Sequence, residues 1–100
     1  MNLRKLARGR ECQIRVPGIC SGNPETVVLC HVRMIGISGY GLKANDIHAS
    51  WGCQRCHDYV DGRTQGTHTY DERRALLLEG MLRTQAILLR EGKISYGATA

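Results

Sequence analysis

Four cysteines of this chain have the spacing of metal ligands. Cys53 and Cys56 form a C-x-x-C pair, which presents two thiolates at a separation that one tetrahedral zinc ion accepts. Cys12 and Cys20 can supply the opposite pair. The seven residues between them exceed the usual two to four, but Pro17-Gly18 favours a folded-back loop. Four thiolates leave no open coordination position, so the pattern predicts a structural Zn²⁺ held by these side chains.

The cysteines have three other interpretations. Cys53 to His57 reads C-x-x-C-H, which is also the attachment motif of c-type haem. Haem attachment normally follows export, and the first residues, MNLRKLARGREC, contain no apolar run long enough for a signal peptide, so the expected location is the cytoplasm. No parallel βαβ pattern surrounds the pair, which disfavours a thioredoxin-like centre. Unligated buried cysteines are the third alternative, and an odd number of cysteines in a reducing compartment disfavours disulfides.

Two histidines could take part in the hydrolysis of a phosphodiester bond. A neutral imidazole accepts a proton near pH 7, which makes His31, near the end of a predicted strand, the candidate general base. His57 and Asp61 are four residues apart in a predicted short helix, so they share one face and can hold Mg²⁺ or Mn²⁺. Such an ion neutralises phosphate charge and stabilises the leaving oxygen. The alternatives are a structural His31 hydrogen-bonded to the backbone and a His57 that is a spare zinc ligand.

Further polar residues near these histidines are candidates for orienting the base or for binding phosphate. The candidates for orientation precede the C-x-x-C pair and stay open as alternatives: Asn45, Asp46 and His48. The candidate phosphate contacts are arginines close to the histidines in sequence: Arg33, Arg55 and Arg63. Ordinary surface charge is the alternative for the arginines. His68 precedes a helix cap, is expected to face solvent and is given no role.

Two strands and a short helix are expected to position these side chains. The β-rich segment 26–35 predicts a strand that carries His31 into a glycine-rich loop, and segment 46–51 predicts a second strand. The sequence from Cys53 to Gly62 lacks alternation and ends at glycine, as a short helix does. One more short strand is predicted at residues 13–16, between the first two cysteines.

A long amphipathic helix is predicted for residues 70–91. Thr69 and Glu72 form a capping box at its start. The helical periodicity predicts a broad core-facing surface, made of Ala75, Leu77, Leu78, Met81, Leu82, Ala86, Leu88 and Leu89.

The same helix has a second, narrow apolar stripe. It consists of Leu76 and Ile87 and lies near Gly80. Glycine costs about 1 kcal/mol inside a helix, which suggests a close approach at that point. The stripe indicates either a homodimer contact through this helix or additional packing on the core.

Size and charge limit the class of protein. A chain of 100 residues makes one domain, 1–100, whose core alone is marginally stable, and this favours a metal as an additional constraint. Lys and Arg exceed Asp and Glu by 14 to 9, giving a net charge of +5, and the excess lies near the start of the chain: Arg4, Lys5, Arg8, Arg10 and Arg15. This favours a polyanionic partner, with a solvated basic face as the alternative. No stretch approaches the roughly 20 apolar residues of a membrane span.

The order of these motifs resembles the HNH, or ββα-metal, nucleases. Members of that superfamily carry a His on a first strand, a polar residue near the second and a His at the start of a helix; those with an added zinc carry C-x-x-C before the last His. The whole chain also resembles the prophage-encoded YbcO-like family of predicted nucleases, through LRKLARGRECQIRVPGICSGNPETVVL, the His31 strand, CQRCHD and LEGMLRTQ. The resemblance runs from about Leu3 to Gly92. It implies an α+β, zinc-stapled HNH-like domain with a long C-terminal helix, and a dimer.

The resemblance implies functional roles for His31 and His57, but the sequence departs from the family pattern at Cys30. Many HNH enzymes have at that position a His or Asp that also binds the catalytic ion. Cys30 is a poor Mg²⁺ ligand, and because it adjoins His31 on a strand it should point the opposite way, into the core. The third ligand of the ion therefore stays open between water, substrate phosphate and Asp46.

The first hypothesis is a metal-dependent HNH-like endonuclease that hydrolyses DNA. His31 would be its base, a divalent ion would lie near His57 and Asp61, and the zinc would be structural. The alternative is a zinc-stapled DNA-binding or adaptor module without catalysis, which Cys30 favours. A redox or haem protein is a third class, disfavoured by the export argument.

Overall fold

The computed structural model describes residues 2–34 and 45–95, and it is a small α+β structure. In chain order its elements are helix α1 (Leu3–Ala7), a 3₁₀ turn (Pro24–Thr26), strands β1 (Val28–His31) and β2 (Ala49–Gly52), and helices α2 (Gln54–Val60) and α3 (Tyr70–Arg90). The predicted two-stranded sheet and long C-terminal helix are confirmed. No helix in the described part of the chain is long and apolar enough to cross a membrane.

The two strands form an antiparallel pair and are shorter than the sequence predicted. Val28 lies opposite Gly52, and His31 lies opposite Ala49. The predicted strand 26–35 begins late because the side chain of Asn23 accepts a hydrogen bond from the Glu25 N–H and starts the 3₁₀ turn instead. Its last residue, 35, lies outside the described residues.

The start of the second predicted strand is a turn. The Asn45 carbonyl accepts from the His48 N–H (2.8 Å), and the Asn45 side chain accepts from the Ile47 N–H (3.0 Å). These local hydrogen bonds compete with a strand ladder, so β2 starts only at Ala49.

The strand predicted at residues 13–16 is not formed. Arg15 has a φ of 56°, in the left-handed region, which interrupts an extended chain. The Gln13 N–H donates to the Trp51 carbonyl at 2.8 Å, and Ile14 and Val16 are buried. The apolar side chains of this segment thus enter the core without a ladder of backbone hydrogen bonds.

Helix α1 was not predicted. Its Ncap is Asn2, whose side chain accepts hydrogen bonds from the Arg4 N–H (3.0 Å) and the Lys5 N–H (3.2 Å). Ala7 is fully buried, and α1 packs against β1. The basic side chains of α1 consequently lie on the surface next to the strand that carries His31.

Helix α3 packs mainly on β2, and its buried face differs from the predicted one. The capping box is confirmed, because Thr69 and Glu72 hydrogen-bond each other's backbone N–H groups (2.7 and 3.2 Å). The predicted face is confirmed at Leu77 and Leu88, which are buried, but it is wrong along one edge, where Leu82 is 61% exposed and Ala75 and Ala86 are also exposed. The buried positions are Arg73, Leu77, Gly80, Thr84 and Leu88.

A polar side chain occupies the centre of that face because β2 needs an acceptor there. The Trp51 N–H donates to Thr84 Oγ1 (3.0 Å), and the Thr84 hydroxyl donates to the Gly80 carbonyl (2.8 Å). A buried N–H without a partner costs about 1–3 kcal/mol. Thr84 therefore fixes α3 on the sheet in a way that hydrophobic periodicity does not reveal.

A second buried polar residue, Arg73, joins α3 to the segment after α2. Its guanidinium donates to the carbonyls of Tyr59 (2.6 Å), Thr64 (2.8 Å) and His68 (3.2 Å), and lies 4.0 Å from the Tyr59 ring centroid. His68 was expected to face solvent, but its ring meets the buried Tyr59 edge-on and hydrogen-bonds its hydroxyl. The loop from α2 to α3 is thus held by side chains at both of its ends.

The close approach at Gly80 comes from the same chain. A Cβ at this position would lie 2.5 Å from Ser50 Oγ and 3.2 Å from the Gln13 carbonyl. Leu76 and Ile87 are partly buried and pack against the core. Both features that suggested a dimer are explained within one chain, and the homodimer stays a prediction.

We expect Gly80→Ala to destabilise the protein by about 1–3 kcal/mol, because the added methyl group overpacks the contact between α3 and β2. Urea unfolding followed by circular dichroism measures the change. Ala86→Gly, at an exposed position of the same helix, is the control and should lose only the ~1 kcal/mol of helix propensity. Stabilisation by Gly80→Ala would contradict the packing.

Candidate metal centre and catalytic cleft

The four predicted zinc ligands form one cluster. Their sulfur atoms all lie within 4.8 Å of one another, and Cys53 Sγ is 3.9 Å from Cys20 Sγ. Sulfurs at about 2.3 Å from a tetrahedral zinc lie about 3.8 Å apart, so the cluster needs only small movements to close around the ion. The arrangement can hold a metal ion such as zinc.

Local hydrogen bonds bring each half of the cluster into place. The Val16 carbonyl accepts from the N–H groups of Ile19 (3.1 Å) and Cys20 (2.9 Å), which folds the long first loop back on itself. Cys53 is the Ncap of α2, and its sulfur accepts from the Cys56 N–H (3.5 Å) and the Ser21 N–H (3.4 Å). These contacts explain how a spacing of seven residues presents two sulfurs to one site.

The cysteines of the cluster differ in acidity, because the pKa values of Cys12 and Cys53 are lowered, whereas those of Cys20 and Cys56 are raised. The hydrogen bond with Cys56 lowers the pKa of Cys12 to about 4, and the same contact raises the pKa of Cys56. Burial opposes ionisation at Cys53, but donation from Ser21 and from the Cys56 N–H lowers its pKa overall. Thiolates are the forms that bind zinc, so this setting suits a dication.

The fifth cysteine is not part of this cluster. Cys30 is 1% exposed, and its thiol points toward the carbonyls of Val28 (3.8 Å) and Gly52 (3.9 Å). Burial raises the pKa of the Cys30 thiol, which favours its neutral form. Its predicted position in the core is confirmed.

His31 lies at the end of β1 and is hydrogen-bonded to a carboxylate. His31 Nε2 is 2.8 Å from Asp46 Oδ1, and the guanidinium of Arg4 reaches the same oxygen at 3.5 Å. The hydrogen bond to His31 lowers the pKa of Asp46, burial opposes that shift, and Arg4 adds to it. Asp46 is therefore ionised at neutral pH, and its carboxylate can accept a hydrogen bond from the imidazole ring of His31.

Of the three candidates for orientation, Asp46 is the one that the structure brings to His31. Asn45 uses its side chain in the turn before β2, as described above. The His48 carbonyl accepts from the Val32 N–H at 2.9 Å, while its Nδ1 is buried without a hydrogen-bond partner among the described residues. Neither contact joins Asn45 or His48 to the His31 ring.

His57 and Asp61 meet on one side of α2, as their spacing predicted. His57 Nε2 is 3.2 Å from Asp61 Oδ2, and the Arg63 guanidinium lies 3.5 Å from the same oxygen. His57 Nδ1 is buried and has no hydrogen-bond partner in the described part of the chain, whereas the buried Asp61 Oδ2 lies within ion-pair distance of both His57 and Arg63. Buried polar atoms without partners are uncommon and indicate a place for a ligand.

A cleft of about 200 Å³ brings the two halves of the candidate site together. His31 and Asp61 both line it, so the base candidate and the ion candidate share one space. The other lining residues are Arg33, Val60, Tyr70, Arg74 and Leu77. Arg33 is thus the predicted phosphate contact that the structure places beside His31.

A second cleft, of about 410 Å³, also includes His31 in its lining. It is lined by Arg4, Arg8 and His31 together with residues 27–29. The basic start of the chain was noted for its charge, but its position next to His31 depends on α1, which no pattern indicated. Arg10 and Arg15, from the same group, contact Glu91 and Gln13 instead.

The other two predicted phosphate contacts, Arg55 and Arg63, are not among the residues that line the cleft of His31 and Asp61. Arg55 is exposed on α2. Arg63 is also exposed, but it pairs with Asp58 (3.4 Å) and Asp61 (3.5 Å). Tyr70 and Arg74, which line the cleft with His31, were missed because they stand in the first turns of α3, far away in sequence.

Comparison with known proteins identifies the family. The family model described as "Putative nuclease YbcO" matches residues 1–93. The chain belongs to this family. Two relatives are each 54% identical over 95 residues, covering 93% of this chain and 96% of the relative: "Putative nuclease YbcO" of Escherichia coli (strain K12) and "Putative nuclease ybcO" of Enterobacteria phage 82. The occurrence in a phage and a bacterium agrees with the predicted prophage family.

A solved structure has the same fold. It is described as "Structure of a putative bacteriophage protein from Escherichia coli str. K-12 substr. MG1655". The two structures agree with a TM-score of 0.77 at 48% sequence identity, over 91% of this chain and 100% of that one. The YbcO-like resemblance is confirmed by the family model and by the two relatives.

We expect purified protein to contain about one zinc ion per chain, and Cys53→Ser to lose both the metal and the fold, because the binding free energy of a structural zinc is part of the folding free energy. Elemental analysis and circular dichroism measure the two effects. Cys30→Ala is the matched control and should keep its zinc. A stably folded, zinc-free wild type would contradict the assignment, as would equal zinc loss from the control.

Proposed function

We propose that this chain is a metal-dependent, HNH-like endonuclease that hydrolyses DNA. The observation that carries the proposal is the shared cleft, in which the carboxylate-bound His31 lies with Asp61, the partner of His57. The names of the two relatives support a nuclease. The structural order β1, β2 and α2, with His31 on the first strand and His57 on the helix, is compatible with a ββα-metal site.

The proposed base is His31, positioned by Asp46. When Nε2–H donates to the Asp46 carboxylate, the lone pair of the ring lies on Nδ1, and this nitrogen takes the proton from the attacking water. The ionised Asp46 then stabilises the imidazolium that forms. Arg4 holds the same carboxylate oxygen and so limits its movement.

The proposed ion site is formed by His57 and Asp61. Neighbouring ligand atoms at about 2.1 Å from an octahedral Mg²⁺ lie about 3.0 Å apart, and His57 Nε2 and Asp61 Oδ2 are 3.2 Å apart. The Asp61 carboxylate provides a hard oxygen ligand of the type that Mg²⁺ and Mn²⁺ prefer, and a bound ion would replace its contact with the Arg63 guanidinium. A bound ion would neutralise phosphate charge and stabilise the leaving oxygen.

Basic residues in both of the clefts that His31 lines support a nucleic acid as substrate. Arg4 and Arg8 line the larger cleft, and Arg33 and Arg74 line the smaller one. Arginine and lysine contacts to phosphate supply most of the sequence-independent affinity for DNA. A DNA strand bound at His31 would therefore meet positive charge in either cleft.

A DNA-binding or adaptor module without catalysis is the alternative. The observation that favours it is the burial of Cys30, at the position where many HNH enzymes carry a ligand for the catalytic ion. In the enzyme, water, substrate phosphate or Asp46 would have to complete the coordination of the ion. The two functions differ in whether DNA is cut, so a cleavage assay separates them.

We expect the wild type to nick supercoiled plasmid in Mg²⁺ or Mn²⁺ and His31→Ala to be slower by roughly 10²–10⁴-fold, the usual contribution of a general base. Gel electrophoresis of the nicked product measures the rate. Equal zinc content in both proteins shows that the variant is folded. Nicking at the same rate by both proteins would exclude His31 as the base, and no nicking by either would favour the non-catalytic module.

We expect Asp46→Ala to lower the nicking rate by roughly 10- to 100-fold, because the His31 ring loses the acceptor that orients it. Asp46→Asn keeps a carbonyl oxygen that can accept from Nε2–H, so it should lose less activity than the alanine variant. Initial rates at saturating metal compare the two variants. An Asp46→Ala protein with full activity would contradict the positioning role.

A further inference from the structure

Tyr70 is a large, exposed aromatic residue at the edge of the proposed catalytic cleft. It is 68% exposed, yet it lines the same cleft as His31 and Asp61. It occupies the first position of α3, where the cap is provided by the side chains of Thr69 and Glu72. Neither the helix cap nor the core therefore requires an aromatic ring at this position.

The surroundings of Tyr70 are suited to a nucleotide. The Arg74 guanidinium lies 5.7 Å from the Tyr70 ring centroid, and Arg33 lines the same cleft. An aromatic ring offers a flat apolar surface to a base, while neighbouring arginines attract the phosphate that joins this base to the next. The other two exposed large apolar residues among those described, Val28 and Leu82, do not have flat aromatic surfaces.

A base can stack on Tyr70 only when it is unpaired. In a duplex both faces of each base are covered by neighbouring base pairs, so a side chain at the surface reaches the face of a base only after it leaves the stack. The cleft of about 200 Å³ is also smaller than the roughly 300–1,000 Å³ that whole small ligands fill. It suits one base or one phosphate group.

We propose that Tyr70 and Arg74 form a stacking platform for an unpaired DNA base next to the phosphodiester at His31, so that the preferred substrate is single-stranded or locally unpaired DNA. This inference rests on the proposed function for the position of the scissile bond. The larger cleft, lined by Arg4, Arg8 and His31, would hold the continuing DNA strand through its phosphates. The platform would therefore distinguish unpaired from double-stranded DNA. The arginines would add affinity for any DNA sequence, because they contact phosphates.

The experiment measures DNA binding separately from cleavage. Every variant is made in a His31→Ala background, and dissociation constants are measured by fluorescence anisotropy for a single strand and for the blunt duplex of the same sequence. We expect Tyr70→Ala to weaken single-strand binding by about tenfold, within the range for loss of one base–aromatic stack, and to change duplex binding less than twofold. Tyr70→Phe keeps the ring and should bind as the parent does.

A spectroscopic signal distinguishes stacking from a general loss of affinity. The fluorescence of 2-aminopurine within the single strand should be quenched by the parent and by Tyr70→Phe, but not by Tyr70→Ala. Leu82→Ala, which removes another exposed side chain from α3, is the control and should change neither measurement. Equal weakening of strand and duplex by Tyr70→Ala, or no weakening at all, would overturn the platform.

The two proposals can fail independently. A wild type that cuts neither supercoiled plasmid nor a single-stranded oligonucleotide, but shows Tyr70-dependent quenching, would refute the catalytic function and retain the base-stacking surface. A wild type whose nicking depends on His31 but whose binding does not depend on Tyr70 would refute the platform alone.

Discussion

The cluster of Cys12, Cys20, Cys53 and Cys56 is the constraint on which the rest of the structure depends. It joins the loop of residues 12–20, which has no helix or strand, to the start of α2, and two of its members, Cys53 and Cys56, lie at the N-terminus of that helix. Thiolates at this end also interact favourably with the helix dipole. Because His57 follows Cys56 directly, closing the cluster around a metal would fix where α2 presents its candidate ion ligands.

Buried hydrogen bonds fix the position of helix α3, which contributes part of the cleft that contains His31. Thr84 satisfies the Trp51 N–H in β2, and Arg73 binds three carbonyls around the segment that follows α2. Together they fix α3 in both position and rotation. Tyr70 and Arg74, in the first turns of that helix, are consequently held at the cleft that His31 and Asp61 share. In a fold with a small core, these buried hydrogen bonds thus add to the positioning that apolar packing supplies.

The sequence predicted the elements whose signals are local. The C-x-x-C pair, the capping box and the spacing of His57 and Asp61 each depend on residues within one turn of chain, and the structure brings each set together. The predicted buried face of α3 was wrong at Leu82, because hydrophobic periodicity favours burial of leucine over threonine. Thr84 is buried instead, since its hydroxyl accepts a hydrogen bond from the Trp51 N–H in β2.

Contacts between distant segments could not be predicted. The capped turn of α1 is only five residues long, so it gives little periodic signal, and its place beside β1 follows from packing. Asp46 could not be separated from its two neighbours because the choice depends on the turn that begins at Asn45. Family membership supports a nuclease-like function in general, as the names of the relatives suggest. The reaction itself has to be inferred from the residues of the candidate site.

We propose that this chain has two different metal sites, a cysteine site that would stabilise the fold and a second site at His57 and Asp61 that would serve catalysis. Anomalous X-ray diffraction from crystals of the zinc-containing protein soaked in Mn²⁺ tests this claim directly, because data at the absorption edges of both metals locate each ion separately. The account predicts zinc at the centre of the four sulfurs and manganese beside Asp61. Manganese among the sulfurs, or no manganese at the histidine and aspartate, would contradict it.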